Sequence, residues 1–212
     1  MDAIKKSKME IILSKLKVFS KPSLELEQYP LDGKNASDIL WTAFSLGNIE
    51  KKTIADLGCG TGILGIGALL LGANKVYFLD KSQSAVQIAK ENLQFVEKEL
   101  DIELKSKALF LVGDINDFKT KVQTVIENPP FGTKTEHADK LFLEKAMEIA
   151  NVVYSIHKTS TLDFIEKFAK KNNFDLTNKV RFAFPLKQTM SFHKQKITMV
   201  DVSLIRIEKS KK

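Results

Sequence analysis

The sequence predicts an α/β fold: a doubly wound, mostly parallel sheet of seven strands, closed by an antiparallel hairpin at its C-terminal end. Three observations carry this reading. Strand-like apolar runs alternate with helical patterns from Lys52 onward, the first run ends in a glycine-rich turn that opens a helix, and the last two runs follow each other with no helix between them.

The parallel strands are placed at Thr53 to Leu57, Lys75 to Leu79, Ala108 to Val112, Thr124 to Glu127 and Val152 to Ile156. Helical runs near Ile63 to Leu71, Ser82 to Lys98, Ala138 to Ile149 and Leu162 to Lys171 are long enough to return the chain to the sheet by right-handed crossovers. The hairpin is formed by Val180 to Phe184 and Ile197 to Ile207, separated by Pro185 and a polar stretch from Lys187 to Lys196. At the other end, Asp2 to Phe19 sets Ile4, Ile11, Ile12 and Leu16 at roughly helical spacing among lysines, an amphipathic basic helix. Residues 1–50 are expected to form a helical extension or lid on a core of 51–209, all within a single domain 1–212. The Lys209 to Lys212 tail is expected to be unstructured.

Composition narrows the function classes. A chain of 212 residues suits one domain, and 43% hydrophobic with 28% charged residues is ordinary for a globular protein. The formal charge of +7 favours a polyanionic partner, because Lys and Arg release condensed counterions when they neutralise phosphates; a lysine-rich surface serving solubility is the open alternative. Cys59 is the single cysteine, which excludes an intrachain disulfide framework and a cysteine-rich zinc site, so no metal is expected. No window approaches the ~18 apolar residues of a spanning helix, and lysines interrupt Met1 to Phe19. A soluble protein of the reducing cytoplasm is expected.

The cofactor half of a site begins at Asp56-Leu57-Gly58-Cys59-Gly60-Thr61-Gly62-Ile63, where a strand turns into a helix and glycines let backbone N–H groups approach a ligand. Asp80, ending the next strand beside Lys81, stands where a carboxylate accepts hydrogen bonds from two ribose hydroxyls. Asp114, ending the third strand before Ile115, can accept from an adenine amino group or cap the following turn. Cys59, between two glycines, reads as a small space filler rather than a nucleophile.

The chemical half is Asn128-Pro129-Pro130-Phe131 at the end of the fourth strand. An exocyclic amine is a poor nucleophile because its lone pair is delocalised into the ring. Two acceptors, the Asn128 side-chain oxygen and the Pro129 carbonyl, can hold its two protons and turn the lone pair out of plane, while Asn128 also borders the cofactor. The Pro-Pro pair fixes φ and carries no competing N–H, and Phe131 offers an apolar face on which a base can stack. An Asn-Pro turn alone is common, but its place after the glycine turn, Asp80 and Asp114, in that order, points to an adenosyl cofactor set against a planar amine.

Gln28-Tyr29-Pro30, Asp56-Leu57-Gly58-Cys59-Gly60, Asn128-Pro129-Pro130-Phe131-Gly132-Thr133, Tyr154-Ser155-Ile156-His157-Lys158 and Phe192-His193-Lys194 resemble the methyltransferase-like protein 5 family, from about Leu24 to Arg206. The resemblance implies a Rossmann-like class I methyltransferase that uses S-adenosyl-L-methionine to methylate adenine N6 in small-subunit ribosomal RNA. It also implies that Gln28 contacts the cofactor's methionine part, with Tyr29 among the cofactor-binding residues, and it raises a small zinc-ribbon activator protein as a partner besides RNA. His157, Lys158, His193 and Lys194 become the candidates for RNA phosphates. Two departures stand out: Leu31 where eukaryotic members carry threonine, and Thr61 where they carry cysteine. A guanine-N2 or DNA amino-methyltransferase, and a non-catalytic RNA-binding subunit with the same fold, are the alternatives.

Overall fold

The computed structural model describes residues 4–20, 30–130, 138–187 and 197–211; Gln28, Tyr29, Phe131, His193 and Lys194 lie outside them. Two helices, α1 (Lys6–Ser14) and α2 (Gly33–Ser45), precede the alternating part of the chain. There follow β1 (Thr53–Leu57), α3 (Ile63–Leu70), β2 (Lys75–Asp80), α4 (Gln83–Leu100), β3 (Ala108–Val112), β4 (Thr124–Glu127), α5 (Ala138–Ile149), β5 (Val152–Lys158), α6 (Leu162–Lys171), β6 (Phe174–Lys187) and β7 (Ile197–Lys209). The sheet order is β3-β2-β1-β4-β5-β7-β6, parallel from β3 to β5, with β7 antiparallel to both β5 and β6. The predicted fold class is the observed one.

The chain winds to one side of β1 through β2 and β3, then returns to place β4 on β1's other side, so the order reverses between β1 and β4. In an open parallel sheet this is where two neighbouring strands send their loops apart and leave a crevice at their carboxyl ends. Helices cover both faces. Ile54 of β1 packs with residues of α1 to α4, including Met9, Leu40, Leu64 and Leu93, while Ala55 and Leu57 pack with Leu143 and Ala146 of α5 and Ile165 of α6.

β7 runs on to Lys209, whose N–H donates to the Asn151 carbonyl at 2.9 Å, so the tail expected to be unstructured from Lys209 is still paired there. Two further elements differ from the sequence expectation. The first helix stops at Ser14 rather than running to Phe19, because the backbone at Lys17 is taken by a distant side chain: its N–H donates to Asn92 Oδ1 at 2.8 Å and its carbonyl accepts from Asn92 Nδ2 at 2.9 Å. β6 begins at Phe174, not Val180, since the polar Asp175, Asn178 and Lys179 pair with Glu208, Arg206 and Ile205 of β7. Charged residues on an edge strand hide its strand character and also block pairing with another sheet.

The extension is tightly built. Asp32 caps α2 by accepting the Asn35 N–H at 2.8 Å, and Ala36, Ile39, Leu40 and Ala43 form its buried face. At Gly33, the first residue of α2, a Cβ would lie 2.6 Å from the Ser14 backbone nitrogen and 2.9 Å from the Glu10 carbonyl oxygen. Those are main-chain atoms and cannot swing aside, so Gly33→Ala is expected to destabilise the fold by about 1–3 kcal/mol by prising α1 from α2. Chemical denaturation checks this; an unchanged midpoint would show that α1 does not seat on α2 in this way.

Candidate active site

The site is built at the reversal of strand order. Leu57 of β1 pairs in register with Glu127 of β4, so Gly58 and Asn128 both leave the sheet one residue beyond the same row. The two halves read separately from the sequence are thereby neighbours at the same end of adjacent strands.

The glycine turn is held from several sides. Gly58, Gly60 and Gly62 all have positive φ, at 66°, 52° and 85°, a conformation that side-chain-bearing residues rarely adopt. The Cys59 N–H donates to the Leu79 carbonyl at 2.9 Å, and the Gly60 N–H donates to Asp80 Oδ2 at 2.9 Å. Thr61 is buried and its carbonyl accepts from Asn92 Nδ2 at 2.9 Å. Asn92 therefore binds the turn and the Lys17 backbone at once, and joins the N-terminal extension to the site. It was missed in the sequence, although a polar residue among Ala85, Val86, Ala89, Leu93 and Val96 on the buried side of α4 was a readable signal. Ile63 opens α3 after Gly62.

The three aspartates have separate duties. Asp80 keeps each carboxylate oxygen engaged once, with Gly60 N–H and with Ser82 N–H at 2.8 Å, which leaves further lone pairs on both oxygens. Burial raises its proton affinity, partly offset by those N–H groups and by the Lys81 charge. Asp114 is exposed at the edge and caps the short turn Ile115–Asp117 by accepting the Asn116 N–H at 2.8 Å. A Cβ on the preceding Gly113 would meet nothing within 4 Å, so the space beside it is open. Asp56, expected among the cofactor contacts, is instead scaffold: it is 1% exposed and accepts the Gly65 N–H in the first turn of α3 at 2.8 Å. Burial pushes its carboxyl up to about 7. The Cys59 thiol, buried beside Asp56 and Asp80, is pushed well above its ordinary value and is no nucleophile.

At the end of β4, Asn128 and Pro130 are partly exposed and Pro129 is buried. Behind them lies a polar column that the sequence did not disclose. Ser155 of β5, paired in register with Glu127, donates to Glu127 Oε1 at 2.8 Å, and its hydroxyl is also 2.8 Å from His157 Nε2. His157 Nδ1 faces the Asp139 carboxylate of α5 at 3.7 Å, ion-pair rather than hydrogen-bond range. His157 is 1% exposed, so it cannot serve RNA phosphates as a surface base; Lys158, at the strand end, remains partly exposed. Burial pushes the Glu127 carboxyl up to about 8, against the Ser155 hydrogen bond and with help from the Asp56 and Asp139 charges. The facing His157 keeps Asp139 below the usual carboxylate range.

Comparison with known proteins gives this geometry a family. Residues 12–153 match the family described as methyltransferase small domain. The chain is 35% identical to the rRNA N(6)-adenosine-methyltransferase METTL5 of Danio rerio over 208 residues, covering 96% of this chain and 98% of that one. The chain belongs to the METTL5 family of methyltransferases. It is 36% identical over 213 residues to an uncharacterised protein of Methanocaldococcus jannaschii, covering 97% of this chain and 95% of that one. It also superposes with a TM-score of 0.88 and 42% identity on the crystal structure of a candidate RNA methyltransferase from Pyrococcus horikoshii, covering 98% and 99% of the two chains.

The methyl donor of this METTL5-family enzyme is S-adenosylmethionine, and the residues fit it. Asp80 keeps lone pairs beyond its contacts with the Gly60 and Ser82 N–H groups, the Phe19 and Phe142 rings flank the glycine turn, and Gly113 beside Asp114 borders open space in which a ring fits. Among the described residues no helix is long and apolar enough to cross a membrane.

The raised proton affinity of Glu127 has a pH signature. A carboxyl that holds its proton more tightly folded than unfolded gives most stability below the ordinary glutamate value of 4.5 and loses it as pH rises toward about 8. Glu127→Gln cannot ionise, so its stability relative to wild type should grow by on the order of a few kcal/mol between about pH 5 and about pH 9. Asp56 titrates in both proteins and largely cancels. Denaturation midpoints at the two pH values decide it, and a pH-independent difference would mean that Glu127 ionises normally in the fold.

Proposed function

We propose that this METTL5-family chain methylates the N6 amino group of an adenine in ribosomal RNA. The observation that carries the reading is the register of β1 with β4, which sets the Asn128-Pro129-Pro130 turn beside the glycine turn. The Danio rerio relative, named for this reaction, supports the choice of base and of RNA.

When bound, S-adenosylmethionine supplies an electrophilic methyl group. The chain's own contribution is binding and alignment. Asp80 and the glycine turn hold the adenosyl part, with Asp114 at the ring, Ile63, Lys81 and Ile115 flanking it, and Gln28 and Tyr29 contributing from the extension that Asn92 ties to the turn. The Asn128 side-chain oxygen and the Pro129 carbonyl accept the two amino protons and turn the nitrogen lone pair toward the donor, and Phe131 supplies the stacking face. Lys158, His193 and Lys194 contribute positive charge for RNA phosphates within a chain of net charge +7. The partner is proposed to include a small zinc-ribbon activator protein seated on a sheet edge, of which β3 and β6 are the two.

Ribosomal RNA incubated with the enzyme and S-adenosylmethionine should yield N6-methyladenosine on nucleoside mass spectrometry; methylation confined to guanine would reject the base, and absence of cofactor binding by calorimetry would leave a non-catalytic RNA-binding subunit. Two substitutions separate the halves of the site. Asn128→Ala should lower kcat by ~10² while cofactor affinity stays within about twofold, because alignment and not cofactor contact is lost. Asp80→Ala should weaken cofactor binding by roughly 10- to 100-fold through the lost charge-assisted hydrogen bonds. Equal losses of kcat and cofactor affinity in Asn128→Ala would make that residue part of the scaffold instead.

A further inference from the structure

The two loops of the site are built on a shared plan that is obvious at one and concealed at the other. Before the glycine turn, Asp56 of β1 reaches past the turn and binds the first turn of the helix that follows it, through the Gly65 N–H. The acid before a loop thereby fixes the helix after it, and the loop between is closed at both ends. The base-holding turn also has an acid before it, Glu127, and a helix after it, α5, with Asp139 in its first turn. Glu127 does not reach α5 directly. Ser155 and His157, alternate residues of β5 on the face that α5 covers, bridge the gap with contacts of 2.8, 2.8 and 3.7 Å. Glu127 and His157 are 0% and 1% exposed, and Ser155 is 0% exposed, so water does not compete for the column.

We propose that Glu127, Ser155, His157 and Asp139 form a positioning brace that ties the strand end before the Asn128-Pro129-Pro130 turn to the first turn of α5, through hydrogen bonds relayed from a neutral Glu127 to His157 and an electrostatic contact of His157 with Asp139. The inference deepens the function proposed above and rests on it.

The proton arrangement follows from counting donors. Ser155 has one hydroxyl proton for two neighbours. Ser155 donates to an ionised Glu127; if Glu127 is protonated the same 2.8 Å contact reverses, Glu127 donating to the Ser155 oxygen and Ser155 to His157 Nε2, with His157 Nδ1–H facing the Asp139 carboxylate at 3.7 Å. If that proton instead crosses to the imidazole, Glu127 becomes an anion and His157 a cation, with Nε2–H donating to Ser155 and Ser155 donating to Glu127. The two arrangements hold the same protons and differ by one transfer through Ser155. The first leaves no charge at a fully buried site, and ions there lose several kcal/mol of hydration. The groups facing Glu127 reinforce it: Asp56 from β1 and Asp139 from α5 both oppose a carboxylate at this point. Glu127 is therefore a positioning residue, acting on the reacting amine only through Asn128.

Glu127→Leu, Glu127→Gln and Ser155→Ala test the brace. Glu127→Leu keeps the bulk and removes every hydrogen bond, and Ser155→Ala breaks the relay at its centre with little change of volume, which covers the case in which the leucine variant fails to fold. Each should lower kcat for RNA methylation by ~10-fold or more with cofactor affinity within about twofold, whereas Glu127→Gln, neutral and still able to donate and accept, should recover to within about threefold of wild type. A folded Glu127→Leu or Ser155→Ala with wild-type kcat would overturn the brace, and Glu127→Gln as impaired as Glu127→Leu would overturn the neutral relay. Nitrogen NMR of wild type should show His157 with Nδ1 protonated and Nε2 as acceptor; a doubly protonated ring at neutral pH would favour the ionic arrangement and refute ours. If wild type methylates no adenine, the functional reading fails by itself. The brace is then judged by amide exchange at Asn128 and Lys140, which should accelerate in Ser155→Ala, and unchanged exchange would sink it.

Discussion

The site depends on one constraint of topology: the strand order reverses between β1 and β4 while their ends stay in register. Leu57 beside Glu127 fixes the level at which both strands stop, and the glycine turn and the Asn128 turn inherit that level. In-line methyl transfer tolerates little error in the distance between donor and acceptor. Backbone pairing between two central, buried strands is as rigid a ruler as a protein offers, since each residue of the row is fixed by ladder hydrogen bonds on both sides. The hairpin of β6 and β7 plays a supporting part. By pairing β7 against β5 it buries the far side of the strand that carries Ser155 and His157.

Loops that approach ligands need backbone freedom, and freedom has to be removed again for the geometry to hold. Glycines at 58, 60 and 62 permit the turn and give the unfolded chain more conformations to lose. The compensation comes from groups anchored in regular elements: the Asp80 carboxylate and the Leu79 carbonyl from β2 and the Asn92 amide from α4 hold the turn, and the Asp56 carboxylate from β1 holds the helix that follows it. These partners all belong to strands and helices whose own positions are set by packing, so the turn is pre-organised before any ligand arrives. Asn92 extends the same logic to the N-terminal extension, because its amide fills all three of its contacts with the Lys17 backbone and Thr61.

Much of this was legible in the sequence, and the unreadable part has a common cause. Signals that are local came through: apolar runs marked the parallel strands, Gly58 to Gly62 marked the cofactor turn, and the helices Ala138–Ile149 and Leu162–Lys171 were bounded as the structure has them. Signals that depend on what lies across a face did not. Tyr154, Ile156 and their polar neighbours Ser155 and His157 alternate as a half-exposed strand would, which made His157 look like a surface base. In a parallel sheet covered on both sides the polar set is buried too, and it must be satisfied internally. The chain beyond α1 is held at Lys17 by Asn92, 75 residues further on, and Asp56 was drawn inward by a helix N-terminus rather than outward to a ligand. None of these partners is visible from spacing along the chain.

Asp56 and Glu127 occupy adjacent strands and face opposite sides of the sheet, one toward α3 and the other toward α5. Both are held well above the usual carboxylate range by burial. An apolar residue at either place would spare the fold the desolvation of an acid, and by stability alone would often be the better choice. What an apolar residue could not do is fix the helix beyond the loop, because packing tolerates small slides that a hydrogen bond does not. Burial also makes the neutral form of Glu127 the favoured one, and a neutral carboxylic acid both donates and accepts, which is what a relay through Ser155 requires. The same apolar surroundings that make the acid expensive therefore give it the protonation state its place in the column needs.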